Sequence, residues 1–131
     1  MRDVIFPPAL AKAVSESGFS PAVRAGDFLF LTGARGTDAN GNMPADAATQ
    51  TRNALAKVLE ILAAADTPAQ AIVEVTSYHI AITSHFDTID PILRDMLGVP
   101  LPAWTAVEVA GLRRAGAVIE LRVVAHVPQS V

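Results

Sequence analysis

The chain has 131 residues, room for one domain with a single core. Its formal net charge of -3 gives no electrostatic footprint for nucleic acid, and the absence of cysteine removes disulfides, thiolate nucleophiles and cysteine-based metal sites together. Apolar residues make up 51% and charged residues only 18%, against about 25% charged in an ordinary domain, so apolar surface is expected to be hidden against another copy of the chain.

In chain order, residues 2–6 read as a short edge strand stopped by Pro7-Pro8, since proline cannot donate to a ladder. Residues 9–18 either hold a helical turn or wrap the surface. Ala22-Val23-Arg24, a Gly26-Asp27 turn and residues 28–32 form a hairpin pattern. Its second strand is apolar on both sides and is expected to be central. Thr32-Gly33-Ala34-Arg35-Gly36 is glycine-rich but lacks the Lys-Ser/Thr ending of a phosphate loop, and residues 37–44 are a polar loop.

Residues 46–65 are the clearest helix, with Leu55, Val58, Leu59 and Leu62 on one stripe opposite Asn53, Lys57 and Glu60. Asp66-Thr67-Pro68 ends it. Residues 72–82 are rich in β-branched side chains and predict a strand. A second helix is expected over 86–97, closed by Gly98. Ser84 and Asp87 resemble a capping box, but Pro91 suits only a first turn, which places the start nearer Asp87.

Over residues 102–127, two β-prone runs flank Arg113-Arg114-Ala115-Gly116 and read as a hairpin. In the second run Ile119, Leu121, Val123, Ala125 and Val127 share a core side, and Glu120, Arg122, Val124 and His126 share the other. In the first run Trp104, Ala106 and Glu108 point one way, and Thr105, Val107 and Val109 the other. A face carrying Glu120, Arg122, His126 and Trp104 together is a wet surface, a subunit interface or a site. The predicted order is β-β-β-α-β-α-β-β, an α+β layer of one mixed sheet with both helices on one face, forming a single domain over 1–131. The bare face then needs a second subunit to cover it.

Residues 19–33 (FSPAVRAGDFLFLTG), Pro44-Ala45-Asp46 before a helix with Gln50, Arg52, Asn53 and Leu55, and Pro102-Ala103 before Val107-Glu108-Val109 and Leu112 together resemble the Rid family. These YjgF-like proteins are reactive intermediate deaminases. The resemblance spans about residues 20–127. It implies a chorismate-mutase-like protomer assembled as a homotrimer, with clefts between neighbouring subunits. Its best-known members hydrolyse enamines or imines such as 2-aminoacrylate to a keto acid and ammonia. They grip the substrate carboxylate with an arginine directly after the Pro-Ala pair; here that position is Trp104. Their water-placing carboxylate of the last strand falls on Glu120 when one extra residue is allowed in the 113–117 turn; a gapless count lands on core-facing Ile119. A tyrosine of the early Pro segment corresponds to Ala22, an asparagine of the second helix to Asp90, and Gly33, whose backbone lines the family's cleft, is kept.

Each candidate has a plain structural alternative. Trp104 walls a cleft or packs an interface. Glu120 orders water as a general base and Arg122 replaces the lost anion-binder, or the two form an ion pair. Arg24 and Arg35 are further cations that solvent also accommodates. His126 could titrate near neutral pH, and His79 and His85 are scattered too widely to predict a metal site; no cofactor is expected. Two functions follow as expectations. One is a hydrolase deaminating an imine or enamine other than 2-aminoacrylate, the other a non-catalytic homotrimer that binds a small metabolite or regulates through contacts. Ribonuclease activity, also attached to the family, fits an acidic chain least. No run of about 18 apolar residues and no charged-then-apolar leader occur, so a membrane partner is not expected and the default location is cytoplasmic.

Overall fold

The computed structural model describes residues 1–128 and arranges them around one mixed sheet of seven strands. Strand β1 (Asp3–Ile5) stops before Pro7, and a 3-10 turn at Pro8–Leu10 leads into α1 (Ala11–Ser17). Gly18 closes α1 at φ 75°, a left-handed conformation that costs glycine nothing. Gly26, at φ 57°, turns β2 (Ala22–Ala25) into β3 (Phe28–Leu31). The two residues of β4 (Ala34–Arg35) follow, a strand too short to show periodicity.

Helix α2 (Ala47–Ala63) is capped by Asp46, whose carboxylate accepts the Thr49 N–H at 2.8 Å. Hydrogen bonds from the Thr49 hydroxyl and N–H hold that carboxyl below the usual carboxylate range. Strand β5 (Ile72–His79), α3 (Ile82–Leu97), β6 (Ala103–Glu108) and β7 (Ile119–His126) complete the described chain.

The strands lie in the order β1-β2-β3-β7-β5-β6, with β4 pairing β7 just beyond β3. Three expectations change here. The 102–127 stretch is not a hairpin, because β5 lies between its runs, antiparallel to β7 and parallel to β6. Strand β5 stops at His79, since Ala81 turns left-handed at φ 50°. Helix α3 begins at Ile82 and carries Pro91 inside it; an exposed proline there is outweighed by Ile89, Ile92, Leu93 and Leu97 buried on the other side.

Leu29, Val75, Ile119, Leu121 and Val123 of the sheet bury against Leu55, Val58 and Leu62 of α2 and Ile89 and Leu93 of α3. Each such side chain contributes about 1.5–3 kcal/mol of transfer free energy. The opposite face has no helix over it and leaves Phe28 and Phe30 40% and 41% exposed. Two local devices set the functional end. Fully buried Gln50 donates to the Pro44 and Gly116 carbonyls at 2.7 and 2.9 Å and accepts the Val118 N–H at 2.8 Å. It thereby ties the 37–44 loop and the 109–118 connection to α2. A Cβ on Gly36 would fall 2.3 Å from the Gln50 Cα, so glycine lets β4 reach the helix.

Candidate functional site

Between β3 and β4 the strand is interrupted at Thr32-Gly33, and β7 runs past this interruption. The ladder sets Arg35 opposite Glu120, while β5 sets Tyr78 opposite Glu120 and Thr76 opposite Arg122. A Cβ on Gly33 would stand 2.4 Å from Glu120 Oε2, so the carboxylate lies directly on the Gly33 backbone. On one side opens a cleft of about 430 Å³ lined by Leu31, Thr32, Gly33, Tyr78, Leu112, Glu120 and Arg122. On the other is a pocket of about 190 Å³ formed by Phe19, Arg35 and Arg113, again with Thr32, Gly33 and Glu120. A carboxylate reached from two solvent-open hollows can take a proton from water beside a bound small molecule.

The structure thus brings Gly33, Arg35, Glu120 and Arg122 together and leaves the other candidates elsewhere in the protomer. Arg122 does not pair with Glu120; it leans toward Glu74 on β5 at 3.5 Å, an exposed contact of small energy. Arg24 donates to the Val127 carbonyl at 3.0 Å, at the far end of the sheet. Asp90 is held by Arg94 one helical turn on, at 3.1 Å. His126 tilts against Phe28 with ring centroids 5.1 Å apart. Ala22 is core.

Trp104 is a correction to the expected face. It pairs with Val75, which also pairs with core-facing Val123, so Trp104 shares the helix-covered side and not that of Glu120. Its indole N–H donates to Ser77 Oγ at 2.8 Å, and its ring stacks on Phe86 of α3 at 5.4 Å and 19°. Ser77 Oγ also bonds His79 Nε2 at 2.7 Å, and the Nδ1 of this fully buried histidine has no partner among the described residues. Burial, and secondly His85, push the His79 pKa down.

Among the lining residues, the sequence did not single out Tyr78, Phe19 or Arg113 as site candidates. Tyr78 alternates with Thr76 and Glu74 along β5, a signal that a face count on that strand would have found. Phe19 and Arg113 come from connections, where no periodicity marks a side chain's direction. Among the described residues no three acidic or histidine side chains gather to hold a metal ion, and no helix is long and apolar enough to cross a membrane.

The family model described as endoribonuclease L-PSP matches residues 10–127. The RutC family protein YjgH of Escherichia coli (strain K12) is 33% identical over 129 residues, covering 98% of this chain and 97% of that protein. A solved structure of protein YjgH superposes with a TM-score of 0.87 at 33% identity over 98% of each chain. The Rid family protein YyfA of Yersinia pestis superposes at 0.85, 27% identical, over 97% of this chain and all (100%) of its own.

Proposed function

The chain belongs to the endoribonuclease L-PSP family, the YjgF, RutC and Rid proteins, and from that premise we propose that it hydrolyses a reactive imine or enamine metabolite. The carrying observation is the Glu120 carboxylate laid on Gly33 at the mouth of a cleft of about 430 Å³. Glu120 accepts a proton from water as the water oxygen adds to the carbon of the protonated imine, giving a neutral carbinolamine. It returns that proton to nitrogen, and as the C–N bond breaks the carbinolamine hydroxyl releases its own proton to the departing ammonia, so protonated imine and water become carbonyl and ammonium. Tyr78, across the ladder and lining the same cleft, would hydrogen-bond the adding or leaving group.

Trp104 stands where the family resemblance expects a carboxylate-gripping arginine, so 2-aminoacrylate is not the proposed substrate. Three copies meeting through their helix-free faces would cover Phe28 and Phe30. The nuclease activity in the family's description is not proposed. Phosphate binding wants positive surface, and the formal charge is -3.

The test generates imines in situ with an amino-acid oxidase, aromatic ones included, and follows ammonia release. Acceleration that Glu120→Gln lowers by about 10²–10⁴-fold supports the hydrolase. Binding without acceleration for any imine leaves the non-catalytic metabolite-binding trimer in its place, a reading the loss of the arginine at Trp104 favours.

A further inference from the structure

Three polar side chains meet beneath α3 near the β6 edge of the sheet, on the face opposite Glu120. Ser77 and His79 alternate with Tyr78 along β5, and both are 0% exposed. Ser77 Oγ accepts the Trp104 indole N–H at 2.8 Å, which leaves its own hydrogen for His79 Nε2, 2.7 Å away. A neutral imidazole that accepts at Nε2 carries its hydrogen on Nδ1, a tautomer assigned from this network. The chain of hydrogen bonds therefore ends on a buried donor, for Nδ1 has no partner among the described residues. Phe86 closes the cluster, its ring 5.4 Å from the indole and 6.0 Å from the imidazole.

We propose that His79 is a pH-sensitive latch on Trp104: a proton on the imidazole releases the indole from Ser77 and loosens the seam between α3 and β6. Protonation puts hydrogens on both ring nitrogens, so Nε2 stops accepting. The Ser77 hydroxyl then faces two donors and has nothing to take its own hydrogen. Among the described residues no carboxylate bonds either ring nitrogen. The ladder partners of His79 are Glu108 on β6 and Ile119 on β7, and Glu108 Oε1 is taken by the Ile82 N–H at 3.0 Å. His85 of α3 acts on His79 only as a like charge. A buried imidazolium without an acid partner or water is costly, so the charged ring turns out toward solvent. Burial, and secondly His85, hold the pKa of the closed form below 6.5, whereas in the opened form it is ordinary. The closed form is thus favoured above about pH 6.5 and loses ground as pH falls. Opening frees the indole from Phe86, which with Ile82, Thr83 and Ala106 walls a neighbouring hollow of about 370 Å³. The latch stands apart from the proposed hydrolysis, whose carboxylate lies on the other side of the sheet.

Trp104 is the chain's only tryptophan, so a single indole N–H resonance reads the latch by its exchange with water. The test measures its protection relative to a free indole from about pH 7.5 to about pH 5. Protection should be level above about pH 6.5 and fall by up to about tenfold per pH unit below it. It should stay weaker throughout than that of the Leu121 amide in the core. His79→Gln keeps an acceptor near the Nε2 position and cannot titrate, so its protection should not vary with pH. His85→Gln removes the like charge and should move the onset to higher pH while keeping the fall. Ser77→Ala should lose indole protection at every pH. Wild-type protection that is independent of pH, or a fall that persists in His79→Gln, overturns the latch. So does indole exchange no faster than that of the Leu121 amide, which would mean that only global unfolding frees the ring. The pH dependence and the comparison with Leu121 need only the wild-type protein, so they decide the matter even where a variant fails to fold.

Discussion

Gly33 and Glu120 can be separated experimentally because the crowding falls on a flexible end. The atom a Cβ would meet at 2.4 Å is a terminal carboxylate oxygen, and no positive φ demands glycine there. Gly33→Ala is therefore expected to fold with little change in thermal midpoint while displacing the carboxylate, lowering kcat/KM for imine hydrolysis by about 10²-fold. Steady-state kinetics beside a melting curve reads both. His79 offers a second separation. Its folded pKa lies below the ordinary value of 6.5, so as pH falls through about 6.5 the unfolded chain binds a proton that the folded chain refuses. Stability attributable to His79 is thus complete above about pH 6.5 and declines below it, by at most about 1.4 kcal/mol per pH unit. Urea midpoints measured from about pH 7 to about pH 5 should fall, and His79→Gln should flatten that decline. Asp46, held low by Thr49, acts only in a more acidic range and does not confuse the reading.

Helix α3 shows what an element borrows from its surroundings. Ala81 supplies no side-chain cap, and the Ile82 N–H is accepted instead by Glu108 Oε1 at 3.0 Å, from the end of β6. Glu108→Ala should cost about 1 kcal/mol, measured by denaturant unfolding. Pro91→Ala, at an exposed position inside the same helix, should stabilise by up to about 3 kcal/mol. These two residues also explain why α3 was misplaced in the sequence: the Pro91 penalty is local and visible, whereas the Glu108 cap is 26 residues away. Alternation made the two sides of β7 legible, and Ile119, Leu121, Val123 and Ala125 are indeed buried while Glu120 and Arg122 are not. Within β6 the grouping of Trp104 with Ala106 and Glu108 was sound too. The phase between the two strands was not legible, because Trp104 reaches β7 only through Val75 of β5. Arg113 stayed hidden for a related reason: Gln50 positions its connection, and a buried glutamine has no periodic signature.

At the scale of the whole molecule, one face of the sheet decides the rest. Phe28 and Phe30 stand on a side that no helix covers, beside half-buried Val23, Val107 and Val124. Exposed aromatic side chains on a bare sheet face are suited to association, in a chain whose charged fraction is only 18%. The proposed homotrimer buries this face and is assembled by the same strands that present Glu120 on it, so assembly and activity are coupled through geometry and not through any shared residue. Phe30→Glu tests the coupling: the new carboxylate would lie on the covered face, where burial without a partner costs several kcal/mol. Light scattering should then report a monomer, with circular dichroism unchanged because the core beneath, Leu29 and Leu31, is untouched. Imine hydrolysis should fall with the trimer. A Phe30→Glu protein that remains trimeric would show that the bare face is not where the copies meet.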